Sequence, residues 1–195
     1  MTNYDLKLSA SLIVRLYLWD QLQVQLPGIW KPLEGGGIPI IPAQDQPETQ
    51  VSSNPYIVYV ADVLPTTDLF SYQRESMHLR IFSADPGVLN STVRLISRLM
   101  NKWDITARDL NRWVRHDDGF GKYVAADYDD YNPWIEEAVN FQFKTIRVVS
   151  GVGIEPSGGE GKRMDTSMSL EIGFIEKQMG LPVTPAPGKF TPEIL

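Results

Sequence analysis

Between Ser76 and Trp103 the hydrophobic period changes once, from two to about three and a half, and that change limits the folds open to the chain. Met77, Leu79 and Ile81 fall on one side of an extended segment, with His78 and Arg80 on the other, the alternation of a half-buried strand. Asp85-Pro86 then punctuates the chain. Asp is a good helix N-cap, and Pro suits the first helical position because its missing N–H would be an orphan there. From that point Leu89, Val93, Ile96, Met100 and Trp103 step by four and three along one stripe, as on an amphipathic helix. A strand that feeds directly into a helix lying back on its own sheet is a layered α and β core.

Other elements attach to this unit. Leu8 to Leu26 reads as a long helix, with Leu8, Leu12, Leu16, Trp19, Leu22 and Leu26 as its stripe. Ile13, Val14, Tyr17, Leu18 and Val24 carry apolar surface well beyond that stripe. Such a helix is either buried on most sides in its own core, or touches both its sheet and a neighbouring subunit. Pro27-Gly28 ends it. Residues 27–55 are loop-like, with Gly35-Gly36-Gly37 and six prolines, and Ile38 and Ile40-Ile41 can form a short extended piece. The run Tyr56–Val63 is continuously apolar up to Asp62, as in a strand buried on both faces. A loop over 65–75 presents Phe70, Tyr72 and Arg74, residue types enriched in interface cores.

After the Asp85 helix, Thr106-Ala-Arg-Asp109 reads as a capping box opening a short helix through Val114. Residues 115–134 are aromatic and acidic. A third strand is expected from Ala138 to Ser150, where the apolar series Val139, Phe141, Phe143 becomes Ile146, Val148. A one-residue change of parity would turn every later side chain to the wrong face, so a β-bulge is expected near Lys144-Thr145. Past the glycine-rich segment 151–163, the stretch Asp165–Glu176 alternates cleanly, with Met168, Leu170, Ile172 and Phe174 inward. The expected fold is α+β: a single mixed or antiparallel four-stranded sheet in the order α-β-β-α-β-β, helices on one face and long loops. It spans 1–177, with a loop and helix insertion near 104–137 and a proline-rich extended arm over 178–195.

The chemistry is sparse. No cysteine is present, which removes thiolate metal sites, disulfides and a cysteine nucleophile. The 18 basic and 24 acidic side chains leave a formal charge of −6, unlike a protein held to nucleic acid by phosphate contacts. No apolar run approaches the ~20 residues of a membrane span, and the first residues lack the order of a signal peptide, so a soluble, non-secreted chain is expected. Gly151-Val-Gly153 lacks the third glycine of a dinucleotide fingerprint, and Gly161-Lys162 is followed by Arg163 where a phosphate-binding loop needs Ser or Thr. Asp127, Asp129, Asp130 and Asn132 depart from a calcium loop, lacking its glycine and its bidentate Glu. His78 and His116 form no cluster. No catalytic constellation emerges, and no cofactor or metal is expected.

The long first helix, the long-looped hairpin of 56–63 and 76–84, the Asp85-Pro86 helix and the closing hairpin of 138–150 and 165–176 together resemble the tail terminator, or tail-completion, proteins of tailed bacteriophages. The resemblance rests on element order over most of residues 6–176. It implies a non-enzymatic virion protein, assembled in the host cytoplasm, that forms a homohexameric ring. Such a ring ends the tail tube and joins it to the neck of the head. Its partners would be copies of itself, tail tube and sheath proteins, a neck connector, and DNA that passes without specific binding; none is a membrane. Ile13, Tyr17, Leu18, Phe70, Tyr72, Arg74, Phe120 and Tyr123 are the candidate subunit or partner contacts. Arg80, Gln142, Lys144, Ser169 and Glu171 are the candidate channel-facing residues. The alternatives are a small α+β binding module using its open sheet face, or a hydrolase using the acidic loop 117–130.

Because Asp127, Asp129 and Asp130 read as a solvated acidic loop, melting temperatures measured with excess calcium and with chelator should agree. A calcium-dependent rise would restore the ligand reading.

Overall fold

The structure is a computed structural model; it describes residues 8–33, 36–45, 54–65, 72–102, 104–124, 133–151, 155–156 and 164–176. The chain runs α1 (Ala10–Gln25), β1 (Ile40–Pro42), β2 (Tyr56–Leu64), β3 (Tyr72–Ser83), α2 (Pro86–Met100), α3 (Asp104–Val114), α4 (Lys122–Val124), α5 (Pro133–Asn140), β4 (Phe141–Gly151), β5 (Glu155–Pro156) and β6 (Met164–Glu176). One mixed sheet follows the path β1-β2-β3-β6-β4, with β5 also pairing on β6. The expected class and its four main strands are present, to which the sheet adds β1 and β5. β1 pairs parallel to β2 through Ile40, Ile41 and Pro42, so the short extended piece expected at Ile40-Ile41 makes the sheet mixed.

The alternation of β3 and β6 sorts their two faces. Met77, Leu79 and Ile81 stand beside Leu170, Met168 and Thr166, and all are buried beneath the helices. The expected bulge is present: Phe143 pairs with Phe174 and Thr145 with Gly173, leaving Lys144 outside the ladder. A second shift between Val148 and Ser150 was not foreseen, and Val149 is exposed there. The two shifts together return the strand to its starting parity.

Several boundaries differ from expectation. The segment beginning at Ala138 is the end of helix α5, so Val139 is an exposed helical residue and not the first inward strand residue. Thr106 lies inside α3, which starts at Asp104. Its hydroxyl donates to the Leu99 carbonyl (2.5 Å) and satisfies an orphan group at the end of α2, where a capping box was expected. β2 is buried from Tyr56 to Tyr59 but exposed from Val60 to Val63. Its buried half lies between β1 and β3, and no described strand lies on the outer side of its second half.

Helix α1 is the centre of the core. Ile13, Val14, Leu18 and Leu22 are wholly buried, and Leu16, Tyr17 and Trp19 nearly so, so the helix is covered on most sides within its own chain. A helix surrounded in this way has no single apolar stripe. Its N-terminus is held by two side chains. Ser9 accepts from the Leu12 N–H (3.2 Å). Buried Glu75 of β3 accepts from Ala10 (3.3 Å) and Ser11 (2.8 Å), placing an acidic group on the positive end of the helix. Asp85 caps α2 as expected, accepting from Gly87 (2.7 Å) and Val88 (3.4 Å). Trp30 is buried and donates to the Thr92 hydroxyl (3.3 Å), which docks the segment after α1 on α2.

Glu75→Ala should leave the first N–H groups of α1 buried without their partner and lower unfolding free energy by about 3 kcal/mol, on the scale of one or two charge-assisted hydrogen bonds. Urea unfolding of Glu75→Ala and Glu75→Gln checks this, with Gln, which keeps an acceptor, expected to lose less. An unshifted Ala midpoint would contradict it.

Candidate functional site

The sheet face turned away from the helices carries a run of paired polar side chains. In register across it lie Asp62, Ser76, Glu171 and Arg147, and one row on, His78 and Ser169. His78 bridges two serines, with Nδ1 at 2.7 Å from Ser169 Oγ and Nε2 at 3.1 Å from Ser76 Oγ. Arg80 Nε donates to Asp165 (2.6 Å) while its guanidinium lies 5.0 Å from the Phe82 ring centre. Phe82 stacks on Tyr56 at 4.8 Å, and with Ile41, Val58 and the partly buried Leu33 they form a small second core at the β1 end. That end of the face is therefore apolar and covered. The remainder is polar.

Arg74, Glu171 and Arg147 form its most structured part. Arg74 Nη2 lies 2.7 Å from Glu171 Oε1, and Arg147 Nη2 lies 2.8 Å from Oε2, so one carboxylate joins guanidinium groups from the strands on either side. Burial alone would raise the carboxyl of Glu171, but the hydrogen bonds and charges of Arg147 and Arg74 outweigh it and hold the group below its ordinary value. Beside this triad is a cleft of about 310 Å³ bounded by Tyr72, Arg74, Thr145, Arg147 and Glu171. Tyr72 and Thr145 join their hydroxyls across it (3.2 Å), directly over Gly173. A Cβ at Gly173 would stand 2.0 Å from the Tyr72 hydroxyl and 2.5 Å from Thr145 Oγ1, so the absence of a side chain there lets the two hydroxyls meet.

The candidate channel-facing residues divide. Arg80, Ser169 and Glu171 share this face. Gln142 is half-buried at its end, in register with Ile175. Lys144 is exposed but is the residue the bulge ejects from the ladder, so it holds no row of the face. Thr145 and Arg147 take the places that strict alternation would have assigned to residues 144 and 146. Carrying the expected parity change past the bulge identifies both of them.

The candidate contact residues fare differently. Ile13, Tyr17 and Leu18 are buried in their own chain, which corrects the surplus apolar surface expected of the first helix: sheet, α2, α3 and the 117–121 turn cover it from different sides. Phe120 is likewise buried, edge-on to Trp113 at 6.2 Å. Tyr72 and Arg74 belong to β3 and not to a loop. Phe70 lies outside the described residues, as do Asp127, Asp129, Asp130 and the 178–195 arm. Tyr123 is half-buried and donates to Asp20 (3.2 Å), which also accepts from Trp113 Nε1 (3.1 Å) and pairs with Lys122. This acceptor on α1, missed in the sequence, ties the segment after α3 to the first helix.

A shallow cavity of about 360 Å³ beside it is bounded by Tyr17, Asp109, Arg112, Trp113, His116 and Asp118 among others. Burial, with the charges of Asp109 and Asp20, pushes the Tyr17 phenol up to about 12, so it stays protonated at neutral pH. His116 Nδ1 accepts from the Asp118 N–H (3.3 Å). Glu137 accepts from the Leu8 N–H (3.2 Å) and so serves the chain's packing. Among the described residues no three His, Asp or Glu side chains are placed to hold a metal ion, and no helix is long and apolar enough to cross a membrane. No family model and no curated protein matches the chain.

Gly173→Ala should displace the Tyr72 ring, break its hydroxyl contact with Thr145 and cost about 1–3 kcal/mol as overpacking. Because the nearest obstruction is the far end of Tyr72, with Thr145 Oγ1 next to it, the cost should shrink in part in a Tyr72→Leu background when both are measured by chemical denaturation. Equal costs in the two backgrounds would place the clash elsewhere.

Proposed function

We infer that this chain is a structural subunit of a ring that ends a bacteriophage tail tube and joins it to the neck. The observation that carries the reading is the sheet face opposite the helices, where Arg74, Arg80 and Arg147 share the surface with Asp62, Asp165 and Glu171. Among the described residues in the ladder of this face, three cations stand against three carboxylates, which leaves this wall little net field. A duplex, whose attachment to proteins depends chiefly on cationic contacts to phosphate, would slide past such a wall without sticking. Element order supports the same reading. The first helix, the hairpin of β2 and β3, the Asp85-capped helix and the closing hairpin of β4 and β6 are the features on which the resemblance to tail terminators rests.

The surface for association on this reading is no longer the first helix. It is the outer half of β2, where Val60 is 46 % and Val63 is 78 % exposed and no described strand pairs on the outer side. An unpaired edge with exposed valines invites another chain, and a heterologous contact of that kind either closes into a ring or grows without end. The opposite sheet edge, β4, is capped at one residue. Asn111 of α3 donates to the Phe143 carbonyl (2.8 Å) and accepts from its N–H (2.9 Å), filling the place a further strand would take.

Deleting this gene from its phage should give filled heads and separate tails, often of abnormal length, that fail to join when particles are viewed by electron microscopy. Normal infectious virions from the deletion would overturn the assignment.

A further inference from the structure

We propose that the cavity of about 360 Å³ between α1, α3 and the turn that follows α3 is a binding site for a primary ammonium group. The site belongs to the helical layer and not to the polar sheet face, so it goes beyond the ring reading and does not rest on it. Tyr17 is the residue that points to a ligand. Its side chain is 6 % exposed, bounds the cavity and stands edge-on to Trp113 at 5.5 Å. Yet its hydroxyl makes no hydrogen bond among the described residues. A buried hydroxyl without a partner is costly and uncommon, and a ligand atom in the cavity would supply the missing partner. Asp109, Arg112, His116 and Asp118 are exposed, so the phenol lies at the closed end and the charges surround the mouth.

The lining selects a cation. After burial, the charges of Asp109 and Asp20 are what raise the Tyr17 phenol, so the hydroxyl sits in a negative field that opposes an anion. Asp20 is already engaged by Trp113, Lys122 and Tyr123. The carboxylates of Asp109 and Asp118, by contrast, make no hydrogen bond or ion pair among the described residues. An ammonium has three donors and no acceptor, and the Tyr17 oxygen and these two carboxylates are acceptors for it. Trp113, on the same wall, offers an aromatic surface that favours a cation. His116 has its Nδ1 turned to the Asp118 N–H (3.3 Å) and leaves the ligand to the others. A metal ion fits less well, because among the described residues no three His, Asp or Glu side chains are placed to hold one. Arg112 also bounds the cavity and repels the ligand, which makes the site weak, with a dissociation constant on the order of 1 mM.

A primary ammonium is carried by a free alkyl amine and equally by a lysine side chain of a partner protein. The test titrates the full chain at low ionic strength with n-butylamine, with N-acetyl-lysine methylamide and with acetate, read from NMR shifts of the protein's N–H groups. Both amines, or one of them, should bind weakly and acetate should not. Tyr17→Phe removes only the hydroxyl. Its melting temperature without amine should equal or exceed that of the wild type, because an unpaired buried hydroxyl is lost, while n-butylamine should bind about tenfold more weakly. A merely structural tyrosine would not move the two readouts in this way. Asp109→Asn, at an exposed position, should also weaken binding about tenfold, and Arg112→Gln should strengthen it several-fold. The lysine derivative binding at least as tightly as n-butylamine assigns the site to a partner's lysine. Binding of n-butylamine with the lysine derivative excluded assigns it to a free amine. No saturable shift with either amine, tighter binding of acetate, or amine affinities indifferent to Tyr17→Phe and Asp109→Asn would overturn the proposal.

Discussion

Glu75 sits where the two layers of the protein meet, and the rest of the structure depends on its bond to the first turn of α1. Its neighbours on the same face of the sheet, Met77, Ile172 and Ile146, are buried and apolar, and an acidic group among such residues is costly unless its oxygens are engaged. The N–H groups of Ala10 and Ser11 engage them, and they are themselves donors that a helix start leaves without intrahelical partners. Each group thus removes the other's penalty. The consequence is positional: the start of α1 is pinned to one point on β3, and the sixteen-residue helix is directed from there across the sheet.

With α1 in place, the helical layer closes around it. Leu89, Ile96 and Met100 of α2 and Leu110 and Val114 of α3 join the same core, while Asp20 on the outer side of α1 gathers Trp113, Lys122 and Tyr123. Gly119 lets the following turn approach: a Cβ there would lie 1.9 Å from the Trp113 carbonyl oxygen, so only glycine permits the contact that brings Phe120 inside. The aromatic residues Phe120 and Tyr123 of this segment are therefore placed by packing, while Asp118 is exposed.

The sheet is finished differently at its two edges and on its two faces. Asn111 saturates the β4 edge at Phe143 with a side-chain amide, whereas no described strand pairs with the outer half of β2, and unblocked edges are the ones through which sheets associate. Among the described residues, the helix-covered face is apolar apart from Glu75, the Gln73–Glu176 pair at one end and a few hydroxyls. On the opposite face, cations and carboxylates from neighbouring strands are paired across the ladder, and the Arg74–Glu171–Arg147 triad spans three strands. On the proposed reading, paired charges of this kind would let a charged polymer pass without capture.

Where a pattern is carried by a few adjacent residues, the sequence was enough. The alternation of Met77, Leu79 and Ile81, that of Met168 to Phe174, the Asp85-Pro86 helix start and the parity change near Lys144 are all local, because side-chain direction follows directly from backbone period. The short strand at Ile40-Ile41 was legible for the same reason. Other features depend on what meets what across the fold. Whether Ile13, Tyr17 and Leu18 face a partner or their own core is the same string of letters; α2, α3 and the 117–121 turn cover them only because the chain returns there a hundred residues later. That Pro133–Asn140 is helix and not the start of a strand, that Thr145 and Arg147 complete the cleft, and that Glu75 is an inward cap follow from pairings between distant segments. Period and propensity carry no record of those partners, and burial energy, which selects among them, is a property of the assembled surfaces.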